Sequence, residues 1–311
     1  SAVGGITIPA MKKEKYPEHF AAAIASMASI LGPIIPPSIT LIVYGSITGE
    51  SVSKLFLGSV IPGIMLAIVL VGYALFYGRK HDLPSQPRKK PKEIVGTLKS
   101  GIWALLMPVI ILGGIFGGIF SPTESAAVAV VYALLISFLV YKDMSLKDCG
   151  TILIESSIST ATILVMVGLS KSSSYVVTVS GLPEMILNTF ASITDSPLVI
   201  LLMINILFLI IGMLMEANAA IVMMTPLLLP LMNAFGIDPI HFGIVMSFNM
   251  CIGLITPPVG ICMLMGNQIA GSRLSAALKA VAPMLVLSLV ILMLITYIPG
   301  LTTWLPSFLS E

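Results

Sequence analysis

Charge is scarce in this sequence. Of 311 residues only 10% are Asp, Glu, Lys or Arg, 57% are apolar, and the mean hydropathy is +1.06. A soluble domain carries roughly 25% charged residues, so this composition excludes a chain whose whole surface faces water. Cysteine is scarcer still. Cys149, Cys251 and Cys262 have no metal-like or redox-like spacing and read as small apolar packing residues. His19, His81 and His241 are scattered, which gives no local metal cluster or catalytic triad. No basic stripe with interleaved aromatics is present, so no nucleic acid partner is expected. HExxH, GxSxG and aspartates paired on facing helices are missing as well, so the chain is not expected to be an enzyme such as an intramembrane protease. The long apolar runs do not alternate with period two, which excludes a membrane barrel.

What remains is apolar length. Runs at 55–76, 102–120, 125–140 and 274–298 reach or approach the ~20 residues that cross a bilayer as a helix. The fold class is therefore an all-α polytopic membrane protein.

The few basic residues cluster. Lys12, Lys13 and Lys15 form one group; Arg79, Lys80, Arg88, Lys89, Lys90, Lys92 and Lys99 a second; Lys142 and Lys147 a third; Arg273 and Lys279 a fourth. If all four are cytoplasmic, 14 of 16 basic residues obey the positive-inside rule, with Lys54 and Lys171 outside. That places the C-terminus on the periplasmic side. It also requires 18–48 to cross once, as a broken but spanning helix.

The sequence repeats itself. An offset of 221 residues pairs Gly32 with Gly253, Ile34 with Ile255, Pro36 with Pro257, Pro37 with Pro258, and Gly45 with Gly266. Ser51/Ser272, Leu57/Leu278, Val60/Val281 and Pro62/Pro283 bring the total to nine identities over 30–63. Five crossings separate the copies, an odd number, so they are expected upside-down relative to each other, as in many secondary transporters. The segment 100–170 has no counterpart before Ser1, which predicts roughly a hundred or more residues upstream.

Both copies carry a break, GPIIPPS at 32–38 and GLITPPVG at 253–260. Proline removes an amide donor and clashes with the preceding turn, and freed polar groups in lipid cost several kcal/mol each unless satisfied. A cation can meet the carbonyls, and an anionic substrate the amides and positive half-helix ends. A plain proline kink is the alternative at either break alone; two matched breaks favour function. Two further interruptions precede these. The stretch after Ser1 reads as the returning arm of a re-entrant hairpin, and 197–230 reads as a second hairpin with its tip at Glu216, Ala217, Asn218 and Ala219. Glu216 is costly at membrane depth and so a functional candidate, or else a structural hydrogen-bonded carboxyl. Glu124 in SPTES follows Pro122 at a helix start and reads as a cap. Asn249, one turn before the second break, is placed to orient it. The organisation expected is 1–50 first-repeat transport elements, 51–196 scaffold helices with the basic loop 79–99, 197–272 second-repeat transport elements, and 273–311 a C-terminal scaffold helix and tail.

The stretches SAVGGITIPAMKKE, GPIIPPSI, GGIFGGIFSPTESAAVAVVYALL, GMLMEANAAIVMMTPLLLPL and GIDPIHFGIVMSFNMCIGLITPPVG, in this order over nearly the whole chain, closely resemble the large membrane subunit of TRAP (tripartite ATP-independent periplasmic) transporters. The resemblance implies an elevator-type carrier of the bacterial inner membrane, coupled to Na+. It also implies a small four-helix membrane (Q) subunit and a soluble periplasmic binding protein that delivers a small carboxylate, of sialic acid or C4-dicarboxylate type. One sodium site would involve Ser1, Gly32, Pro33, Pro36 and Ser38. The other would involve Glu216, Asn218, Gly253, Thr256 and Pro257. Substrate would lie between them, near Ser1, Pro37, Asn218, Asn249 and Pro258. The family often carries an Asp about where this chain has Gly5, a departure that bears on any acidic ligand at the first site. A related carrier acting alone, coupled to sodium or protons, is the other function considered.

Overall fold

A computed structural model describes residues 2–84, 91–194, 196–258 and 260–309. Ser1 and the central basic residues Arg88, Lys89 and Lys90 lie outside them. Every regular element among the described residues is a helix, and eight segments are long and apolar enough to cross a membrane. The chain is thus a multi-pass membrane protein. It forms two compact units, 1–84 with 166–311, and 85–165.

In the larger unit, α1 (Ala2–Lys13) precedes α2 (Glu18–Ser29), a single turn α3 (Leu31–Ile34), α4 (Ile39–Thr48) and α5 (Val52–Lys80). Much later follow α10 (Pro197–Leu214), α11 (Ala217–Ala234), α12 (Pro239–Gly253), α13 (Ile261–Ala270), α14 (Leu274–Tyr297) and the turn α15 (Gly300–Thr303). The surface shows why this unit needs lipid. On α5, Leu55, Phe56, Ser59, Leu66 and Leu70 are buried, while Ile64, Ile68, Val71 and Leu75 face outward at helical spacing. On α10, Leu198, Leu202, Ile206, Ile210 and Leu214 do the same, one full turn apart. An outward face of Ile, Val and Leu is stable in hydrocarbon and a liability in water.

The repeat survives in three dimensions. The starts of α2 and α12 differ by 221 residues, those of α4 and α13 by 222, and those of α5 and α14 by 222. Pro62 inside α5 matches Pro283 inside α14. The structure extends the match to α1 and the second half of α11, where Pro9 answers Pro230 and Met11 answers Met232. Packing follows the same rule with the copies exchanged. Helix α1 packs on α2 and α13, and α11 on α12 and α4; α2 packs on α13 and α14, and α12 on α4 and α5. Gly49 and Gly271 close α4 and α13 in the left-handed region, φ +80° and +71°, each amide returning to the carbonyl four residues back.

Described members of three of the four basic groups meet at one end of this unit. Lys12 Nζ donates to the Ala270 carbonyl at 2.7 Å, beside the Arg273 group, and pairs with Glu18 at 2.8 Å. A cation on the last carbonyl of α13 also complements that helix's dipole. Tyr16 donates to the Pro84 carbonyl at 3.0 Å, and Phe20 stacks on Tyr77 at 4.1 Å, which brings in Arg79 and Lys80. Lys54 stands at the opposite end of α5.

The smaller unit contains α6 (Pro91–Phe116) and α7 (Pro122–Leu135, continued by a π-helical stretch Ile136–Tyr141). Side chains on the α7 segment donate to carbonyls on α6 in antiparallel order: Ser125 to Ile111, Tyr132 to Trp103, Tyr141 to Ser100. The Glu124 cap expected from sequence is a full capping box: Ser121 N donates to Glu124 Oε2 at 2.8 Å and Glu124 N to Ser121 Oγ at 3.3 Å. Helix α8 (Leu146–Val179) leaves this unit and enters the larger one, where α9 (Leu182–Ile193) leads to α10.

Candidate functional site

Backbone geometry at the two breaks follows from the prolines. Helix α3 ends at Ile34, so Pro36 and Pro37 leave carbonyls of the last turn without amide partners, and α12 ends at Gly253 for the same reason. Gly32 and Pro33 therefore sit inside the last turn, and the non-helical segment is 35–38. The Pro36–Pro37 and Pro257–Pro258 peptides are both cis.

At the first break the freed Pro33 carbonyl is met by hydroxyls. Ser38 Oγ donates to it, Thr40 Oγ1 donates to it at 3.2 Å, and the two hydroxyl oxygens lie 2.8 Å apart. Ser38 also caps α4, accepting from Leu41 N at 3.4 Å. Ser38, Thr40 and Pro36 are buried, whereas Gly32 and Pro37 are exposed. Three neutral oxygens thus gather where the helix opens, a donor set suited to a hard monovalent cation. Ile244, Ser247 and Phe248 of α12 line the small cavity beside Pro33.

At the second break, Thr256 Oγ1 donates to the Ile252 carbonyl at 2.9 Å and Cys262 N to the Leu254 carbonyl at 3.0 Å. Pro257 and Pro258 are exposed and line a cleft with Met263, Leu274 and Leu278. The tip of 197–234 is the bend Met215–Glu216 between α10 and α11. Glu216 caps α11: one carboxylate oxygen accepts from Ala219 N at 3.0 Å, the other from Asn218 Nδ2 at 2.9 Å. It is exposed rather than buried, so its charge is held at a helix N-terminus where the dipole favours it. Asn218 Oδ1 is buried without a hydrogen-bond partner among the described residues, as a group awaiting a cation or donor would be.

What joins tip and break is a backbone contact. A Cβ on Gly253 would lie 2.4 Å from the Gly212 carbonyl carbon, and one on Gly212 would lie 3.2 Å from Gly253 Cα. Glycine at 253 is what allows α10 so close to the end of α12, and Gly212 eases the same approach. Gly32, the repeat partner of Gly253, has no such neighbour among the described residues.

Asn249 is fully buried one turn before the break, and does more than face it. Its Nδ2 donates to Asn205 O and Asn205 Oδ1, both at 3.0 Å, and Asn205 Nδ2 donates to Thr296 Oγ1 at 2.9 Å. One polar chain therefore ties α12 to α10 and α14. Sequence reasoning missed Thr40, Asn205 and Gly212. Asn205 carried a usable signal, a lone amide in the middle of an apolar run; Gly212 carried none without knowing what packs on it.

Residues 1–301 match the family described as the tripartite ATP-independent periplasmic transporter, DctM component. The chain belongs to that family. It is 40% identical over 310 residues to the C4-dicarboxylate TRAP transporter large permease protein DctM of Pseudomonas aeruginosa, covering all of this chain and 73% of that protein. It is 36% identical to the sialic acid TRAP transporter large permease protein SiaM of Vibrio cholerae, over 98% of this chain and 71% of that one. The isethionate TRAP transporter permease protein DctMQ of Oleidesulfovibrio alaskensis is 38% identical over 97% of this chain, which spans about half, 48%, of that relative. These relatives are transporter permeases. The matching segments of this large permease chain include both breaks and the α10–α11 pair.

Proposed function

We propose that this large permease chain is the translocating subunit of a sodium-coupled, binding-protein-dependent importer of small organic acids in the bacterial inner membrane, working by an elevator motion. The observation that carries the reading is the matched pair of helix breaks, each bordered by a half-helix packed against the other copy. An inverted repeat builds this pattern around a central site. The parity argument also holds whether α10 and α11 form a re-entrant hairpin or a spanning pair, because they add two crossings together. The moving body is assigned to the larger unit; this transfers α5 and α14, expected from sequence in the scaffold, to the moving part, because they pack in that unit with both breaks. Sodium is assigned to Pro33, Ser38 and Thr40 at one break and to the Asn218–Gly253–Thr256 region at the other. Gly5 supplies no carboxylate, so the first set is neutral. The substrates in the relatives' names are acids, and the exposed amides and half-helix ends beside Pro37 and Pro258 suit a carboxylate or sulfonate. A small Q subunit and a soluble periplasmic binding protein complete the assembly.

The test is uptake into proteoliposomes by the full-length chain with its small subunit and binding protein, using a panel of labelled acids. Uptake that requires both an inward sodium gradient and the soluble protein is the expected result. Sodium-driven uptake without the soluble protein would instead identify a carrier that acts alone. Replacing Pro257 and Pro258 together by alanine is expected to lower uptake and its sodium dependence by about tenfold or more. Wild-type rates with wild-type sodium dependence in a folded double variant would remove the second break from the site.

A further inference from the structure

We propose that the pocket at the far end of α5 binds the headgroup of a phosphoethanolamine phospholipid. This inference rests on membrane embedding alone and not on the transport reading. The pocket, about 480 Å³, is lined by Lys54, Asp238, Thr303, Trp304 and Ser307 among others. Lys54 and Asp238 form no ion pair with each other among the described residues, although both line this one pocket. Two opposite charges held apart across a pocket fit a ligand with the same internal separation.

Each polar group has a fitted role. Lys54, half-buried in the first turn of α5, offers an ammonium to a phosphate, and the Trp304 indole N–H is a second donor. Asp238 Oδ1 accepts from His241 N at 2.9 Å as the cap of α12, and Oδ2 has no donor among the described residues. That oxygen can accept from a primary ammonium, as a quaternary choline cannot offer. Thr303 donates its hydroxyl proton to the Pro299 carbonyl at 2.9 Å, so its oxygen can still accept from an ammonium. A purely anionic headgroup would meet Asp238 unfavourably.

The pocket is rigid and lies at the right depth. His241 Nδ1 and Thr302 Oγ1 are 2.7 Å apart, and a Cβ on Gly58 would come within 2.4 Å of the Thr302 carbonyl, so the α15 turn is fixed against α12 and α5. Here the apolar spans of α5 and α14 give way to polar chain. Trp304 and Phe308, 57% and 70% exposed and edge-to-face at 5.3 Å, project outward like the aromatic belt at a membrane interface. Lys54, one of the two basic residues that the positive-inside pattern leaves outside, thereby acquires a partner.

The experiment uses the full-length chain, delipidated and offered phosphatidylethanolamine, phosphatidylcholine and phosphatidylglycerol with identical acyl chains, with bound lipid counted by native mass spectrometry. Wild type is expected to retain phosphatidylethanolamine roughly tenfold over the other two. Asp238→Asn is expected to erase that preference, and Lys54→Gln to lower retention of all three lipids severalfold, since each carries the phosphate; asparagine keeps the α12 cap, so the fold is preserved. Equal retention of all three lipids by wild type would overturn the proposal, as would an unchanged preference in Asp238→Asn or unchanged retention of every lipid in Lys54→Gln. Variants that keep the lipid preference and lose only docking of the soluble binding protein would assign the pocket to a protein partner and equally overturn it.

Discussion

Gly253→Val is expected to reduce transport by about two orders of magnitude while the protein still inserts and folds. The argument is steric. The added Cβ would lie 2.4 Å from the Gly212 carbonyl carbon and 2.6 Å from Gly212 Cα and O. Those are backbone atoms of a helix, so no side chain can swing aside. Either α10 moves away, displacing the Met215–Asn218 tip from the break, or the end of α12 unwinds. Overpacking of this kind costs roughly 1–3 kcal/mol, which a large membrane protein survives, but a displacement near an ångström at a coordinating site is far more damaging to rate. Gly212→Ala is a graded companion. Its Cβ would meet Gly253 Cα at 3.2 Å, a contact relieved by a few tenths of an ångström, so a loss of several-fold is expected. Gly72→Val, where an added Cβ meets nothing within 4 Å, is the control and should transport normally. Equal rates for Gly253→Val and Gly72→Val would show that the close approach has no role in transport. The readout is initial uptake rate per correctly folded molecule, with folding checked by gel filtration.

Asn249→Leu is expected to lower stability by about 1–2 kcal/mol, with a matching loss in Asn205→Leu and a double variant milder than the sum. Asn249 donates twice to Asn205, and Asn205 passes the interaction to Thr296, all at full burial. Leaving one buried amide unpartnered costs ~1–3 kcal/mol in soluble proteins. Membrane proteins show less per bond, ~0.6 and up to ~1.7 kcal/mol, which sets the lower half of the estimate. Removing both amides leaves no orphan on either side chain, hence the non-additivity. Thermal unfolding of the purified variants measures this directly, and strictly additive losses would show that the two amides do not act as a unit. Because the chain links α10, α12 and α14, transport is expected to fall in both single variants as well.

How much of the site was legible depended on whether its cause was local. The breaks were legible because proline acts on its own turn, and their pairing because nine identities at one offset are hard to obtain otherwise. Glu124 was read correctly as a cap, since a capping box spans four consecutive residues. Glu216 was legible only as a costly charge. That it caps α11 with one oxygen and holds Asn218 with the other depends on where the helix begins. Thr40 escaped notice because its role requires the Pro33 carbonyl, seven residues away across a kink.

Sequence by itself determined that this chain lives in a membrane, crosses it many times, carries its basic residues in a few clusters, and contains a duplicated, proline-broken element. Each of these follows from composition and short-range periodicity, which the solvent and the backbone read directly. Only the tertiary structure decided which copy packs on which, that Gly212 touches Gly253, that Asn205 joins Asn249 to Thr296, and that Lys54 and Asp238 line one pocket. The physical reason is distance along the chain. Those contacts join residues tens to hundreds of positions apart, and they are fixed by close packing of helices whose apolar faces are interchangeable in sequence.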